Sequence, residues 1–172
     1  MDILIKRVKL TDVESLSIVG KQSFYEAYSM KNTESDMKKY LEESFSIEKL
    51  TVELKDENSE FYFAILDNNI IGYLKLNSGQ SQTDLKDNNS LEIERIYVLK
   101  KYYGKGVGQL FYKKAIEVAR CRKVDYIWLG VWEENERAIN FYKRNGFVEF
   151  GKHTFRLGDD VQNDILMKLD IR

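Results

Sequence analysis

Proline is absent from this chain of 172 residues, and cysteine occurs once, at Cys121. A lone cysteine excludes an internal disulfide and suits a reducing compartment. Cys121 falls near the end of a predicted helix and reads as a small packed side chain. Histidine also occurs once, at His153, far from Cys121 in the chain, which argues against a Cys–His nucleophilic pair. Without proline, helix ends must be punctuated by glycine, asparagine, serine and threonine. Charge of one sign is lacking too. The 27 Lys and Arg against 28 Asp and Glu leave a net charge of −1, so there is no electrostatic reason to bind nucleic acid. No stretch approaches transmembrane length, and the first residues, MDILIKRVK, hold no long apolar run. The expectation is a cytoplasmic protein with no membrane partner. Repeats and linkers are missing as well, so one domain spanning 1–172 is expected, large enough for a real core.

What is present is ordinary globular composition, 43% hydrophobic and 32% charged, with eleven Tyr and nine Phe. Asp2 to Val8 alternates and reads as a first strand. Thr11-Asp12-Val13-Glu14 has the spacing of a capping box, opening a helix to about Tyr28 with Val13, Leu16, Val19, Phe24 and Ala27 inward. Lys31-Asn32-Thr33 breaks it. A second helix, about Glu34 to Phe45, turns Met37, Tyr40 and Leu41 inward, and Ser46 caps a third to about Leu54. Phe61 to Leu66 and Ile70 to Leu76 read as strands joined at Asp67-Asn68-Asn69, a hairpin signal. Ser78 to Ser90 reads as a loop. Tyr126 to Val131 is a short buried strand. Phe147 to Phe155 and Val161 to Leu169 form a final pair around Leu157-Gly158-Asp159-Asp160. The order β-α-α-β-β-β-α-β-α-β-β predicts an α+β fold with a mixed sheet.

The organising stretch is Leu91 to Cys121, LEIERIYVLKKYYGKGVGQLFYKKAIEVARC. Leu91, Ile93 and Arg95 alternate against Glu92, Glu94 and Ile96, and the strand ends at Tyr97 and Val98. A turn carrying Gly104, Gly106 and Gly108 follows. Then Val107, Leu110, Phe111, Ala115, Val118 and Ala119 recur at helical spacing. Glycines opening a helix leave backbone N–H groups bare at its positive end, so this is a candidate phosphate cradle. The spacing fits neither GxxxxGK[ST] nor GxGxxG. Taken alone, the loop is equally well a glycine turn joining a strand to a helix.

The turn resembles the pyrophosphate loop of the GNAT acyltransferases, Q/R-x-x-G-x-G/A, with Gly106 and Gly108 in the glycine positions and Tyr103 where Gln or Arg is usual. Downstream, NERAINFYKRNGF, Asn135 to Phe147, is similar to the second signature of that family. Asn135 can cap the helix, Ala138 and Phe141 share a face, and Gly146 fits the left-handed position past the helix end. Together with IWLGVWE, these segments look most like the bacterial PaiA-type spermidine/spermine N-acetyltransferases. The resemblance implies a GNAT fold: a mixed, mostly antiparallel central sheet flanked by helices and splayed between the strands at Val98 and Val131.

It also implies acetyl transfer from acetyl-CoA to an amine, with no metal. Ile96, Tyr97 and Val98 would lend backbone groups to the pantetheine arm. Gly104, Lys105, Gly106, Val107, Gly108 and Gln109 would hold the pyrophosphate. Asn135 could bind a pantetheine amide and Arg144 a ribose phosphate. Tyr142 matches the family's proton donor to the departing thiolate; otherwise it is a packed helix aromatic. Glu92 falls where some members carry a catalytic base, ahead of Glu94 two residues on; either could instead be a structural ion-pair partner or an acceptor-binding carboxylate. Phe24, Tyr25, Glu26, Tyr28, Glu34 and Asp36 form a mixture able to hold a polyamine. Expected partners are acetyl-CoA or CoA, a small polyamine and, as an option, a second copy of the chain. The runner-up is a protein N-terminal acetyltransferase of the same fold; a third reading is a regulator that binds acetyl-CoA without turnover.

Overall fold

A computed structural model describes residues 1–172, with the side chains of Phe155 and Leu157 outside what it describes. Seven strands form one sheet: β1 (Leu4–Arg7), β2 (Ser59–Leu66), β3 (Asn69–Ser78), β4 (Ser90–Val98), β5 (Tyr126–Trp132), β6 (Val148–Leu157) and β7 (Asp160–Asp170). Their spatial order is β1-β2-β3-β4-β5-β7-β6. Every neighbouring pair is antiparallel except β4 and β5. The helices are α1 (Val13–Tyr28), α2 (Glu34–Ser44), α3 (Ile47–Lys55), α4 (Val107–Arg122) and α5 (Glu136–Arg144). This is the expected mixed α+β sheet, with α3 a separate helix between α2 and β2.

Local chemistry explains the punctuation. Asp67 and Asn68 both take positive φ, 50° and 64°, so β2 and β3 close through a two-residue turn whose twist matches the strands. Thr33 and Ser46 cap α2 and α3, accepting from the N–H groups of Asp36 and Lys49. The predicted capping box at Thr11 to Glu14 does not form. A short 3-10 turn at Leu10–Asp12 precedes α1, and the Asp12 carboxylate accepts from Lys9 N–H at 2.9 Å. The acid side chain thus caps the turn one step upstream of the predicted start.

Period-two alternation divides β2 between two apolar layers. Tyr62 and Ala64 face the layer of Phe111, Ala115, Ile127 and Ile139. Phe61 and Phe63 face the layer of Leu16, Phe24, Met37, Phe45 and Leu50. Both faces being covered, this antiparallel strand is apolar almost throughout, where a sheet with one wet face would alternate. On α4 the buried stripe is Val107, Phe111, Ala115 and Ala119. Cys121 lies two residues beyond Ala119, hence on the opposite side of the helix, and it is exposed. The expectation of a packed cysteine is therefore corrected.

The site is positioned by an irregularity in β4. Arg95 pairs with Lys75 and Ile93 pairs with Leu76, so Glu94 stands as an extra residue, a β-bulge. β4 and β5 pair from Ser90↔Tyr126 to Ile93↔Leu129 and no further. Beyond that point β4 stays with β3 as far as Val98, and β5 stays with β7 as far as Trp132. The sheet therefore splays where the sequence expectation placed the opening. Leu99 N–H donates to the Ile71 carbonyl at 2.9 Å. By alternation Tyr97 also faces β3, while Ile96 and Val98 turn their N–H and C=O toward the gap.

Gly72 sits against the splayed end of β4, and a Cβ there would meet the Tyr97 carbonyl oxygen at 2.6 Å and Val98 Cα at 3.2 Å. Gly72→Ala should lower stability by about 1–3 kcal/mol and the melting temperature by roughly 3–10 °C. Gly108→Ala is the control, since its Cβ would touch only the Phe141 ring at 3.5 Å and alanine favours a helix by about 1 kcal/mol. Thermal denaturation checks both; an unchanged melting temperature in Gly72→Ala contradicts the close strand approach.

Candidate active site

The turn before α4 gives its shape through backbone angles. Gly104 and Gly106 take φ of 74° and 84°, and a Cβ at either would meet nothing within 4 Å. Glycine is needed there for conformation, not for space. Gly106 is the N-cap of α4, and the first helical donor is Leu110, to the Gly106 carbonyl at 3.2 Å. The N–H groups of Val107, Gly108 and Gln109 therefore have no backbone acceptor among the described residues. They point out of a 16-residue helix at its positive end, which is an anion site by construction.

A groove of about 630 Å³ runs from these amides along the free edge of β4. It is bordered by Ile96, Tyr97 and Val98, by Tyr103, Gly104, Gly106, Val107, Gly108 and Gln109, and on α5 by Asn135, Arg137, Tyr142 and Arg144. The Gln109 side chain is already committed, donating to Asn145 Oδ1 at 3.0 Å, so only its backbone faces the groove unspent. Lys105 is exposed at the turn and does not border the groove. A cation missed in the sequence does. The Arg137 guanidinium lies 3.7 Å from the centre of the Tyr103 ring. Tyr103, the departure from the family loop, thus carries a guanidinium that arrives from α5. Asn135 Oδ1 caps α5 through Ala138 N–H at 3.2 Å, as its place in the signature suggested.

On the other side of the gap lies an inner cavity of about 230 Å³. Ile96, Tyr97, Asn135, Ala138 and Tyr142 border both spaces, so groove and cavity meet there. Aromatic rings from α1, α2, β4 and β5 wall the cavity. Phe24 stacks on Tyr40 with centroids 4.4 Å apart, and Tyr28 meets Trp132 edge-on at 5.4 Å. Tyr142 is buried at the junction, and its hydroxyl makes no hydrogen bond among the described residues. Burial first, and then the neighbouring Tyr28, push its pKa above the ordinary phenol value, so the phenol keeps its proton across the physiological range.

The two strand carboxylates differ in state. Asn77 Nδ2 donates to both, at 3.0 Å to Glu92 and 2.7 Å to Glu94. Glu94 also takes Lys75 Nζ at 2.8 Å and Arg95 Nη2 at 2.9 Å. Burial alone would raise Glu94, but Arg95 and Lys75 outweigh it and hold the carboxyl at about 2. A carboxylate that acidic is a poor base, and its position in the bulge marks it as an anchor. Glu92 accepts from Thr83 N–H at 2.8 Å and from Thr83 Oγ1. Burial raises it above the usual carboxylate range despite these bonds.

The acceptor residues expected around α1 and α2 divide. Phe24 and Tyr28 border the cavity. Glu26 instead borders the outer groove and accepts from Lys100 N–H at 2.9 Å. Asp36 accepts from Asp159 N–H at 3.1 Å, tying α2 to the β6–β7 turn; Glu34 and Tyr25 do not border the cavity. The acidic side chains that reach it are Glu92, Glu94 and Asp164, beside His153. The last two come together only through the cross-strand register of β6 and β7, which pairs His153 with Asp164. Among the described residues no cluster of three or more His, Cys, Asp or Glu could hold a metal ion.

Comparison with known proteins follows the same outline. Residues 21–147 match the family model described as Acetyltransferase (GNAT) family. An uncharacterized N-acetyltransferase in the pepI 3′ region of Lactobacillus delbrueckii subsp. lactis is 38% identical over 164 residues, covering 95% of both chains. A spermidine N(1)-acetyltransferase of Thermoplasma acidophilum is 26% identical over 86% of this chain and 89% of that protein. The crystal structure of a PaiA N-acetyltransferase from Thermoplasma acidophilum in complex with coenzyme A superposes with a TM-score of 0.80 at 23% identity, covering 99% of each chain. With a matching model across most of its length and a relative this similar end to end, the chain belongs to the GNAT family of acetyltransferases.

Proposed function

We propose that this enzyme moves an acetyl group from acetyl-CoA to a primary amine, with a small polyamine as the acceptor class. The observation that carries the reading is the junction of the two spaces at Ile96, Asn135 and Tyr142. An anion-binding groove ends there against an aromatic and acidic cavity. The residues present fit the cofactor: bare amides at the α4 N-terminus suit a pyrophosphate, and the unpaired edge of Ile96 and Val98 suits an amide-bearing arm. When bound, acetyl-CoA supplies the activated acyl group.

Each residue then has a task. The amides of Val107, Gly108 and Gln109 neutralise phosphate charge, with Arg137 and Arg144 alongside. The N–H and C=O of Ile96 and Val98 orient the pantetheine arm, and a free N–H on this edge polarises the acyl carbonyl. Asn135 stands at the mouth of the gap. Tyr142 gives a proton to the departing sulfur, which as a thiolate has an ordinary pKa near 8.5. Glu92 faces the acceptor as the carboxylate that draws an ammonium in. Glu94, neutralised by Lys75 and Arg95, holds the bulge instead. A peptide N-terminus as acceptor, the runner-up, needs a groove that follows a peptide backbone; the inner cavity is bordered instead by aromatic rings together with Glu92, Glu94 and Asp164. The spermidine acetyltransferase among the relatives supports the polyamine, at a distance.

Tyr142→Phe keeps the ring and removes one proton. Its kcat should fall about a hundredfold with CoA affinity unchanged. Steady-state rates and calorimetry check this, and equal turnover in both proteins returns Tyr142 to the core.

Acceptor class is tested by screening acetyl-CoA turnover against spermidine, spermine, a monoamine of similar length and N-terminal peptides. Spermidine and spermine should give the highest kcat/KM. Their KM should rise with ionic strength, while that of the monoamine changes less, because the second ammonium contributes a screened contact. A clear preference for peptides, or a spermidine KM indifferent to salt, overturns the polyamine assignment.

A further inference from the structure

Acetylation of a protonated amine releases one proton per turnover, and the amine must lose it before attack. An alkylammonium has a pKa near 10.4, so the site needs a group to accept that proton and a way to dispose of it. Glu94 is neutralised by its ion pairs, and Glu92 already accepts three hydrogen bonds. The same cavity offers another arrangement at His153 and Asp164.

His153 on β6 lies between two carboxylates. Its Nε2 is 3.4 Å from Asp164 Oδ2 and its Nδ1 is 3.2 Å from Asp84 Oδ2. Asp164 and His153 border the inner cavity, whereas Asp84 lies outside it in the segment before β4. Side-chain exposure rises along the three, 13% at Asp164, 29% at His153 and 43% at Asp84. The line therefore runs from the cavity to solvent. β5 carries glycine where the line crosses it: a Cβ on Gly130 would stand 3.2 Å from Asp164 Oδ2 and 3.3 Å from His153 Cε1. Glu133 and Tyr28 are the other titratable groups that act on Asp164 or are acted on by it.

We infer that Asp164, His153 and Asp84 form a proton relay that takes the proton from the acceptor amine in the inner cavity and delivers it to solvent. The inference rests on the amine-acetyltransferase reading of the same cavity. Asp164 Oδ2 accepts a proton from the ammonium, leaving a neutral amine. The nitrogen lone pair forms the C–N bond to the acyl carbon, and the C–S bond breaks with its electron pair going to sulfur. Sulfur takes the Tyr142 proton, and the second nitrogen proton restores the phenol. The first proton passes from Asp164 to His153 Nε2, one leaves Nδ1 for Asp84, and the net product is amide, free thiol and one proton in water. Burial raises Asp164 above the usual carboxylate range, which makes it the better proton acceptor; His153 opposes that rise. Imidazole suits the middle position because it can gain a proton at one nitrogen and lose one at the other.

His153 is the only histidine in the chain, so diethyl pyrocarbonate reports on one imidazole. Saturating spermidine, without acetyl-CoA, should slow its modification, because the amine occupies the cavity that His153 borders. His153→Gln and Asp164→Asn should each lower kcat on the order of ten- to a hundredfold, leave CoA affinity unchanged and move the acidic limb of the pH–rate profile. Asp84→Asn should cost less, since water can replace it. Added free imidazole should restore part of the rate of His153→Ala. Wild-type kcat and pH profile in both His153→Gln and Asp164→Asn, or modification that spermidine does not slow, overturns the relay while wild-type turnover keeps the parent reading. Absence of turnover with any amine in the wild type overturns both.

Discussion

The site depends on a backbone that is left unpaired on purpose. A parallel pair of strands diverging after four residue pairs exposes polar groups that a sheet would normally satisfy. In β4 the divergence begins at the Glu94 bulge, which adds a residue and re-aims the strand. From it come the free edge of Ile96 and Val98, the gap that Asn135 and Tyr142 look into, and the separation of an outer groove from an inner cavity. Groove, cavity and free strand edge are one feature, since pairing β4 with β5 to the end would remove all three.

Keeping such an irregularity in a packed sheet needs a local anchor. Glu94 is held by Lys75, Arg95 and Asn77, and Lys75 is held in turn by Glu53 at 2.6 Å. Two cations and two carboxylates balance in near-complete burial, where an unpaired charge would cost several kcal/mol. The network is not saturated: Glu53 Oε2, Tyr73 OH and Arg95 Nη1 are buried without hydrogen-bond partners among the described residues. Arg95 Nη1 still has Glu53 Oε1 at 3.5 Å and the guanidinium rests over the Phe45 ring at 5.4 Å. The network joins α3, β3 and β4, so Glu53 of α3 is tied to the bulge through Lys75 and Arg95, while Leu50 of α3 packs in the core. The two neighbouring glutamates, both on the cavity wall, differ accordingly: at Glu94 the cations Arg95 and Lys75 outweigh burial, while at Glu92 burial prevails and raises the carboxyl.

Much of the fold was legible because it rests on short-range rules. Alternation, the Asp67–Asn68 turn, the Ser46 cap and the glycine turn before α4 all concern neighbours in sequence. The groove's amides and strand edge lie within Ile96 to Gln109, but the loop by itself read equally as a glycine turn, and the strand edge was named only through the family resemblance. What escaped the sequence is what tertiary register assembles. His153 and Asp164 face each other because of how β6 pairs with β7, and Asp84 joins them from an aperiodic segment; no local pattern announces this. Arg137 stood inside a quoted signature, yet its stacking on Tyr103 needs the packing of α5 against the loop. Glu26 and Asp36 were read as acceptor groups by composition, and each is spent on a backbone N–H elsewhere. Cys121 shows the same limit on one helix, since a near-end position says nothing of the face until Ala119 is known to be buried.

The central claim is that the splayed edge of β4 and the bare N-terminus of α4 together grip the cofactor through their backbone. Amide hydrogen exchange followed residue by residue by NMR, with and without CoA, tests it directly. The account predicts that CoA slows exchange or shifts the resonances at Ile96, Val98, Val107, Gly108 and Gln109, while Tyr97, already turned to β3, is unchanged. CoA binding that leaves those five amides as they were would contradict it.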